Sequence, residues 1–171
     1  NLDGDSAMST LYVDNLEPNL GSRVMAAGHV VQVIHASFDQ QKTDLTNNQT
    51  FVNTHIAASI TPSSTSSKIL ILINTVVSVD ATITNFRHLA VGRNASGIDA
   101  TRKTIRSSYQ NGSGMDVQDF SLNYLDTPSS TASTTYSLMG DAQNQGMAVG
   151  GRMSDTGANG FSSITLMEIA Q

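Results

Sequence analysis

Apolar residues alternate with polar ones along most of the chain, a pattern typical of β-strands. The clearest segment is residues 68–79, where isoleucine and valine dominate one face. The opposite face is also apolar, because it carries Leu70, Leu72 and Val76. A strand that is apolar on both faces must be covered on both, and a two-layer sandwich covers only one of them. We therefore predict that a neighbouring subunit covers the second face.

The last predicted strand, residues 162–170, has the same two-sided pattern. Ile164 and Leu166 share one face. Met167 and Ile169 share the other. The predicted subunit interface comprises Leu70, Leu72, Val76, Met167 and Ile169. A homotrimer is predicted by analogy with jelly rolls that bury one sheet centrally.

Seven further segments are predicted to be strands by the same criterion. They are residues 29–36, 51–55, 57–60, 86–93, 117–124, 134–139 and 147–153. The segments are short and fairly evenly spaced, and the chain has no helical periodicity. The prediction is an all-β fold, an antiparallel jelly-roll-like β-sandwich of about eight strands with an extended N-terminal arm.

Two matching proline corners separate predicted strands. Thr61-Pro-Ser-Ser-Thr-Ser-Ser67 returns as Thr127-Pro-Ser-Ser-Thr-Ala-Ser133. Proline cannot donate to a strand ladder, and Ser and Thr hydroxyls bond their own backbone in turns. Each copy is therefore predicted to be a strand-to-strand corner, and the pair indicates a domain built from hairpins.

Residues 1–28 are predicted to be a flexible start followed by an extended anchoring arm, and residues 29–171 to be the sandwich domain. The arm carries four spaced apolar residues, and Pro18 keeps the segment from being a central strand. An extended apolar arm is costly in water unless it docks on another surface. The residues predicted to anchor the domain to a larger particle are Leu11, Val13, Leu16 and Leu20.

Composition narrows the classes of partner. The chain has 171 residues, the size of one domain, and Ser and Thr make up 40 of them,. Charged residues are only 13 % and the net charge is −5. We expect no nucleic-acid partner, because phosphate binding needs a concentrated basic patch.

No apolar run is long enough to span a bilayer, and no membrane insertion is predicted. The chain has no cysteine, which excludes disulfides and thiolate metal sites,.

Side chains capable of chemistry are sparse. His29 and His35 share a predicted strand face but lie about 20 Å apart, too far to hold one metal ion. A metal site formed with His55 or His88 is an alternative that the sequence does not exclude. Asp116 and Asp119, near Asp126, are candidate paired carboxylates for sugar hydrolysis, yet acids at strand ends are mostly solvated turn residues. The prediction is a non-enzymatic protein with no catalytic residue, no cofactor and no metal site.

Several sequence segments, in this order along the chain, resemble those of small virion proteins of the tail-fibre or decoration type from tailed phages of cyanobacteria and other marine bacteria. They are residues 8–16, 28–33, 60–71, 123–130 and 163–169. The resemblance covers nearly the whole chain and implies a non-enzymatic component of the virion, with other capsid or tail proteins as partners. Residues 81–115 lie outside it, so it assigns no loop-borne binding residues.

Three hypotheses follow. The favoured one is a trimeric tail-fibre or spike head for host attachment, with loops 94–102 and 109–116 contacting a host-surface glycan. The second is a trimeric capsid decoration (cement) protein that stabilises the head shell, with the arm reaching onto the lattice. The third is a glycan-active enzyme. These functions rest on analogy of fold.

Overall fold

The computed structural model describes residues 26–41, 45, 50–80, 87–105, 115–142, 146–152 and 160–171. These residues form ten β-strands and one 3-10 turn at Asp99–Thr101. The strands are β1 Val30–Phe38, β2 Val52–Ile60, β3 Lys68–Asp80, β4 Arg87–Arg93, β5 Ser96–Gly97, β6 Lys103–Ile105, β7 Met115–Asp126, β8 Thr134–Ala142, β9 Met147–Val149 and β10 Ser162–Ile169.

The strands make two five-stranded antiparallel sheets that pack face to face. Sheet A has the order β1-β10-β3-β7, with β9 also paired to β3. Sheet B has the order β2-β8-β4-β5, with β6 also paired to β4. The long strands β1, β2, β3 and β4 alternate between the sheets, and so do β7, β8 and β10. This alternation is typical of a jelly roll and confirms the predicted all-β sandwich.

Both proline segments connect two strands, as predicted, but neither connects the two strands of a hairpin. Residues 61–67 connect β2 of sheet B to β3 of sheet A, and residues 127–133 connect β7 of sheet A to β8 of sheet B. Neither pair of flanking strands is hydrogen-bonded to each other. The corners therefore carry the chain across the sandwich, because turn chemistry ends a strand without choosing the partner of the next one.

The structure also differs from the predicted strands at β2, β5 and β6. Residues 51–55 and 57–60, predicted as two strands, belong to the single strand β2. A register shift between Asn53 and Ala57 interrupts its alternation, which explains the apparent break,. The short strands β5 and β6 were not predicted, because two or three residues are too few to show a period.

The core lies between the inner faces of the two sheets. The β3 residues Ile69, Ile71 and Ile73 are at most 1 % exposed, as the isoleucine face of this strand predicts. Ile164 and Leu166 of β10 lie beside them and are fully buried. Sheet B contributes its own inner residues, among them Leu89, Val91, Tyr136 and Leu138.

Candidate functional site

The outer face of sheet A carries an apolar row that crosses four strands. Val33 of β1 lies opposite Met167 of β10, Met167 lies opposite Leu70 of β3, and Leu70 lies opposite Leu125 of β7. Val33 is 52 % exposed and Leu125 is 46 % exposed. The row runs from one edge strand to the other, so it forms a band across the whole sheet.

Neighbouring positions extend this band. Ile169 lies opposite Val30 on one side and Lys68 on the other. Leu72 lies opposite Thr165 and Asn123 in the next row. We call this region the apolar end; it comprises Val30, Val33, Leu70, Leu72, Leu125, Met167 and Ile169.

Four of the five predicted interface residues meet at the apolar end. The fifth, Val76, shares their face but lies six residues beyond Leu70 along β3, about 20 Å away,. Sequence reasoning missed Val30, Val33 and Leu125. The alternation of Val33 with the inward-facing Ile34 indicates that Val33 points outward. Its cross-strand neighbours depend on strand register, which the sequence does not give.

The opposite end of the same face is polar. Val76 lies opposite Asp119, and Asn74 lies opposite Ser121. A cavity of about 340 Å³ opens here. The cavity is lined by Asn74, Thr75, Val76, Asp119, Phe120, Ser121 and Phe161. Phe161 is 68 % exposed, the most exposed large apolar side chain among the described residues. We call this region the polar end.

A buried carboxylate fixes the first proline corner to sheet A. Glu168 of β10 is fully buried, and its Oε1 accepts hydrogen bonds from the Ser63 backbone N–H (2.7 Å) and the Ser63 hydroxyl (2.6 Å). The Ser67 hydroxyl also donates to Oε1 (2.7 Å), and Gln32 Nε2 of β1 donates to Oε2 (2.6 Å). These contacts join β1, β10 and the corner beneath the apolar end.

The hydrogen bonds set the protonation of this carboxyl. Burial alone would raise the pKa of Glu168, but the donors of Ser63, Gln32 and Ser67 favour the ionised form and lower the pKa to about 2,. The ionised carboxylate accepts four hydrogen bonds, which tie the corner to β1 and β10. Sequence reasoning missed this residue. Its position on the same strand face as Ile164 and Leu166 indicated a buried carboxyl group.

A second buried network precedes the other corner. Asp126, at the end of β7, accepts a hydrogen bond from the Tyr136 hydroxyl at 2.6 Å. Arg93 Nη1 lies 2.9 Å and 3.1 Å from the two carboxylate oxygens of Asp126. Burial, and then the hydrogen bond to Asp126, raise the pKa of Tyr136 above its ordinary value. The network joins β7 of sheet A to β4 and β8 of sheet B.

The candidate carboxylate pair does not assemble. Asp119 is exposed on the outer face of sheet A. Asp126 is buried in its network, and Asp116 lies opposite the buried Val79 on the inner side of the strand. Alternation along β7 thus separates Asp119 from the other two, and these residues cannot flank one sugar bond.

The histidines are also dispersed. His35 Nδ1 pairs with the Thr165 hydroxyl on sheet A at 2.8 Å. His88 Nδ1 pairs with the Thr104 hydroxyl on sheet B at 3.2 Å. The His55 ring packs edge-on against Phe38 with centroids 5.8 Å apart. Within the described ranges, no three His, Asp or Glu side chains come close enough to hold a metal ion.

The predicted anchoring residues Leu11, Val13, Leu16 and Leu20 lie outside the described residues. Among the residues that are described, no helix is long and apolar enough to cross a membrane. No protein-family model and no curated protein sequence matches the chain.

Proposed function

We propose that the chain is a non-enzymatic structural protein of a tailed-phage virion, in which it forms the trimeric head domain of a tail fibre or spike. The observation that carries this proposal is the apolar row from Val33 to Leu125. A structural protein of this kind works by self-association, and the row supplies a surface suited to it.

The chemistry of the apolar end favours contact with apolar surface over water. Val30, Val33 and Leu125 are each 46 to 53 % exposed, and they adjoin the half-buried Leu70, Met167 and Ile169. Contiguous exposed apolar side chains on a soluble domain mark interaction sites. On the outer face, the described rows of the apolar end hold two ionisable residues, Lys68 beside Ile169 and His35 in the row of Leu72. A partner of equally low charge is therefore required.

We assign a second copy of this chain as that partner. The apolar end crosses the four long strands of sheet A, from β1 at one edge to β7 at the other, and leaves the polar end outside the proposed contact. The same apolar row on each copy would match in chemistry and in size. We assign three copies to the oligomer by analogy with jelly rolls that bury one sheet at a symmetry axis.

The arm supports attachment to a larger particle. The predicted arm precedes β1 in the chain, and β1 is an edge strand of sheet A. We propose that Leu11, Val13, Leu16 and Leu20 bind a neighbouring virion protein by adding a strand or an apolar tether. The same feature suits the alternative function, a capsid decoration protein.

Immunogold labelling of the encoding phage, with antibody against the purified chain, tests this function. The proposal expects label at the tips of the tail, at few copies per particle. Label spread over the head in many copies would support the decoration protein instead. Absence of the chain from purified virions would overturn both.

The arm is tested by competition. A variant lacking residues 1–23 is expected to keep the oligomeric state and melting temperature of the full chain but to be excluded from virions when the two are co-expressed. Equal incorporation of both chains would contradict the anchoring role.

A further inference from the structure

We propose that the polar end of the outer face of sheet A binds a neutral pyranose of a cell-surface glycan and does not cleave it. This inference deepens the proposed attachment function and rests on that function for its biological setting. The binding itself is a property of the isolated chain and can be tested separately.

The cavity has the volume of a small-molecule site. Its volume of about 340 Å³ falls within the range of about 300–1,000 Å³ seen for such sites,. Two neighbouring strands form its floor, with Asn74 and Val76 on β3 opposite Ser121 and Asp119 on β7. A rigid sheet therefore holds these side chains at fixed spacing.

The polar groups of the cavity match those of a polyol. The Asn74 amide donates and accepts, the Asp119 carboxylate accepts, and the Ser121 hydroxyl does both. Within the described part of the chain, none of these three side chains is hydrogen-bonded to another protein group. Asn74 and Ser121 face each other across β3 and β7, so their side chains are about 5 Å apart,. Asp119 lies two residues from Ser121 along β7, about 7 Å away, so the three groups can reach neighbouring hydroxyls of one sugar ring.

Phe161 supplies an apolar wall. It immediately precedes β10, and its ring borders the cavity while remaining 68 % exposed. The ring faces carry negative charge density, so they attract the polarised C–H groups on the apolar side of a pyranose. An exposed aromatic ring beside convergent polar side chains distinguishes this cavity from one that binds purely apolar ligands.

The negative charge at the cavity favours neutral sugars over acidic ones. Asp119 places a carboxylate inside the cavity, and the chain carries a net charge of −5. Both disfavour an acidic sugar. Lys103 does not line the cavity: its Nζ donates to the Ser121 backbone oxygen at 2.9 Å and lies over the Phe120 ring. A neutral pyranose therefore fits better than a uronic or sialic acid.

Binding without cleavage follows from the carboxylates. Glycoside hydrolysis by the common mechanisms needs two carboxyl groups about 5–9.5 Å apart across the scissile bond. Asp119 is the only carboxylate among the described residues that line the cavity. A single shallow site binds weakly, but several sites on one oligomer bind a repeating glycan with increased avidity.

Saturation-transfer NMR on the full chain tests the proposal. The probes are the methyl glycosides of glucose, galactose and mannose, with methyl glucuronide as the charged comparison. The variants are Phe161→Ala, Asp119→Asn and Asn74→Ala. Asn123→Ala is the matched control, because Asn123 is an exposed asparagine on the same face of β7 that does not line the cavity.

We expect saturation transfer to at least one neutral glycoside, with affinity reduced about tenfold or more by Phe161→Ala and Asn74→Ala and unchanged by Asn123→Ala. No transfer to any neutral glycoside, equal loss in the control, or tighter binding of the glucuronide would each overturn the proposal. Release of methanol or reducing sugar would overturn the claim of binding without cleavage.

The two proposals fail separately. If no glycoside binds while immunogold labels the tail tips, the attachment function stands and the sugar site falls. If a neutral glycoside binds with the predicted variant pattern while virions lack the chain, the sugar site stands and the virion function falls.

Discussion

One face of sheet A presents two different surfaces. At the apolar end, Val33, Met167, Leu70 and Leu125 line up across four strands. At the polar end, two of these strands, β3 and β7, present Asn74, Ser121 and Asp119 around a cavity. The register between β3 and β7 continues unbroken from one end to the other, so along this pair the ends differ in their outward-facing side chains.

This difference shows how one strand can serve two purposes. The inner face of β3 is apolar from Ile69 to Val79 except for the buried Thr75, and its side chains pack in the core between the two sheets. The outer face changes from leucine to asparagine between Leu72 and Asn74 without disturbing the strand. We propose that the apolar end joins subunits and that the polar end is left free to bind a ligand.

The largest expected effect is a charge at the apolar end. Leu72→Asp would place a carboxylate in the proposed interface, at a cost of several kcal/mol, and we expect it to dissociate the oligomer. Ser121→Asp makes a comparable charge change on the exposed strand at the polar end and should leave the oligomer intact. Sedimentation velocity measures both. Equal behaviour of the two variants would show that the ends do not differ in this way.

The next effect concerns Glu168, which lies beneath the apolar end. Glu168→Gln removes the charge that four hydrogen bonds stabilise, and should lower the free energy of unfolding by about 2–3 kcal/mol,. Asp119→Asn, the exposed counterpart at the polar end, should change it by less than about 0.5 kcal/mol. Urea unfolding followed by circular dichroism distinguishes them, and a smaller loss for Glu168 than for Asp119 would refute this account of the corner.

The same carboxyl predicts a pH dependence. The pKa of Glu168 is about 2 in the folded chain against an ordinary value of 4.5. Its stabilisation is therefore fully present above about pH 4.5 and is lost as pH falls towards 2. Urea unfolding at several values of pH should give a slope in this range that is weaker in Glu168→Gln. The same slope in both chains would mean that other groups cause it.

The smallest effect is expected at the corners. Pro62→Ala relaxes the unfolded chain and should cost about 0.5–1 kcal/mol without changing the oligomer. Pro128→Ala, at the matching position of the second corner, serves as the comparison. Thermal unfolding gives the stability, and gel filtration the assembly. Loss of assembly in Pro62→Ala alone would place the first corner within the interface.

The alternation of residues predicted most of the fold but less of the candidate site. The two faces of β3 and β10 follow directly from it, because strand period decides which residues share a face. The distance between Val76 and the other predicted interface residues depends on strand length, and the row that joins Val33 to Leu125 depends on register. Phe161 has no periodic signal, because it stands alone between Gly160 and the start of β10.

The central claim, that the apolar end is buried between copies of this chain, is tested most directly by light scattering of the full chain over a range of concentrations. The account predicts a stable oligomer, with a mass about three times that of the 18.1 kDa chain,. A monodisperse monomer at every concentration would contradict it.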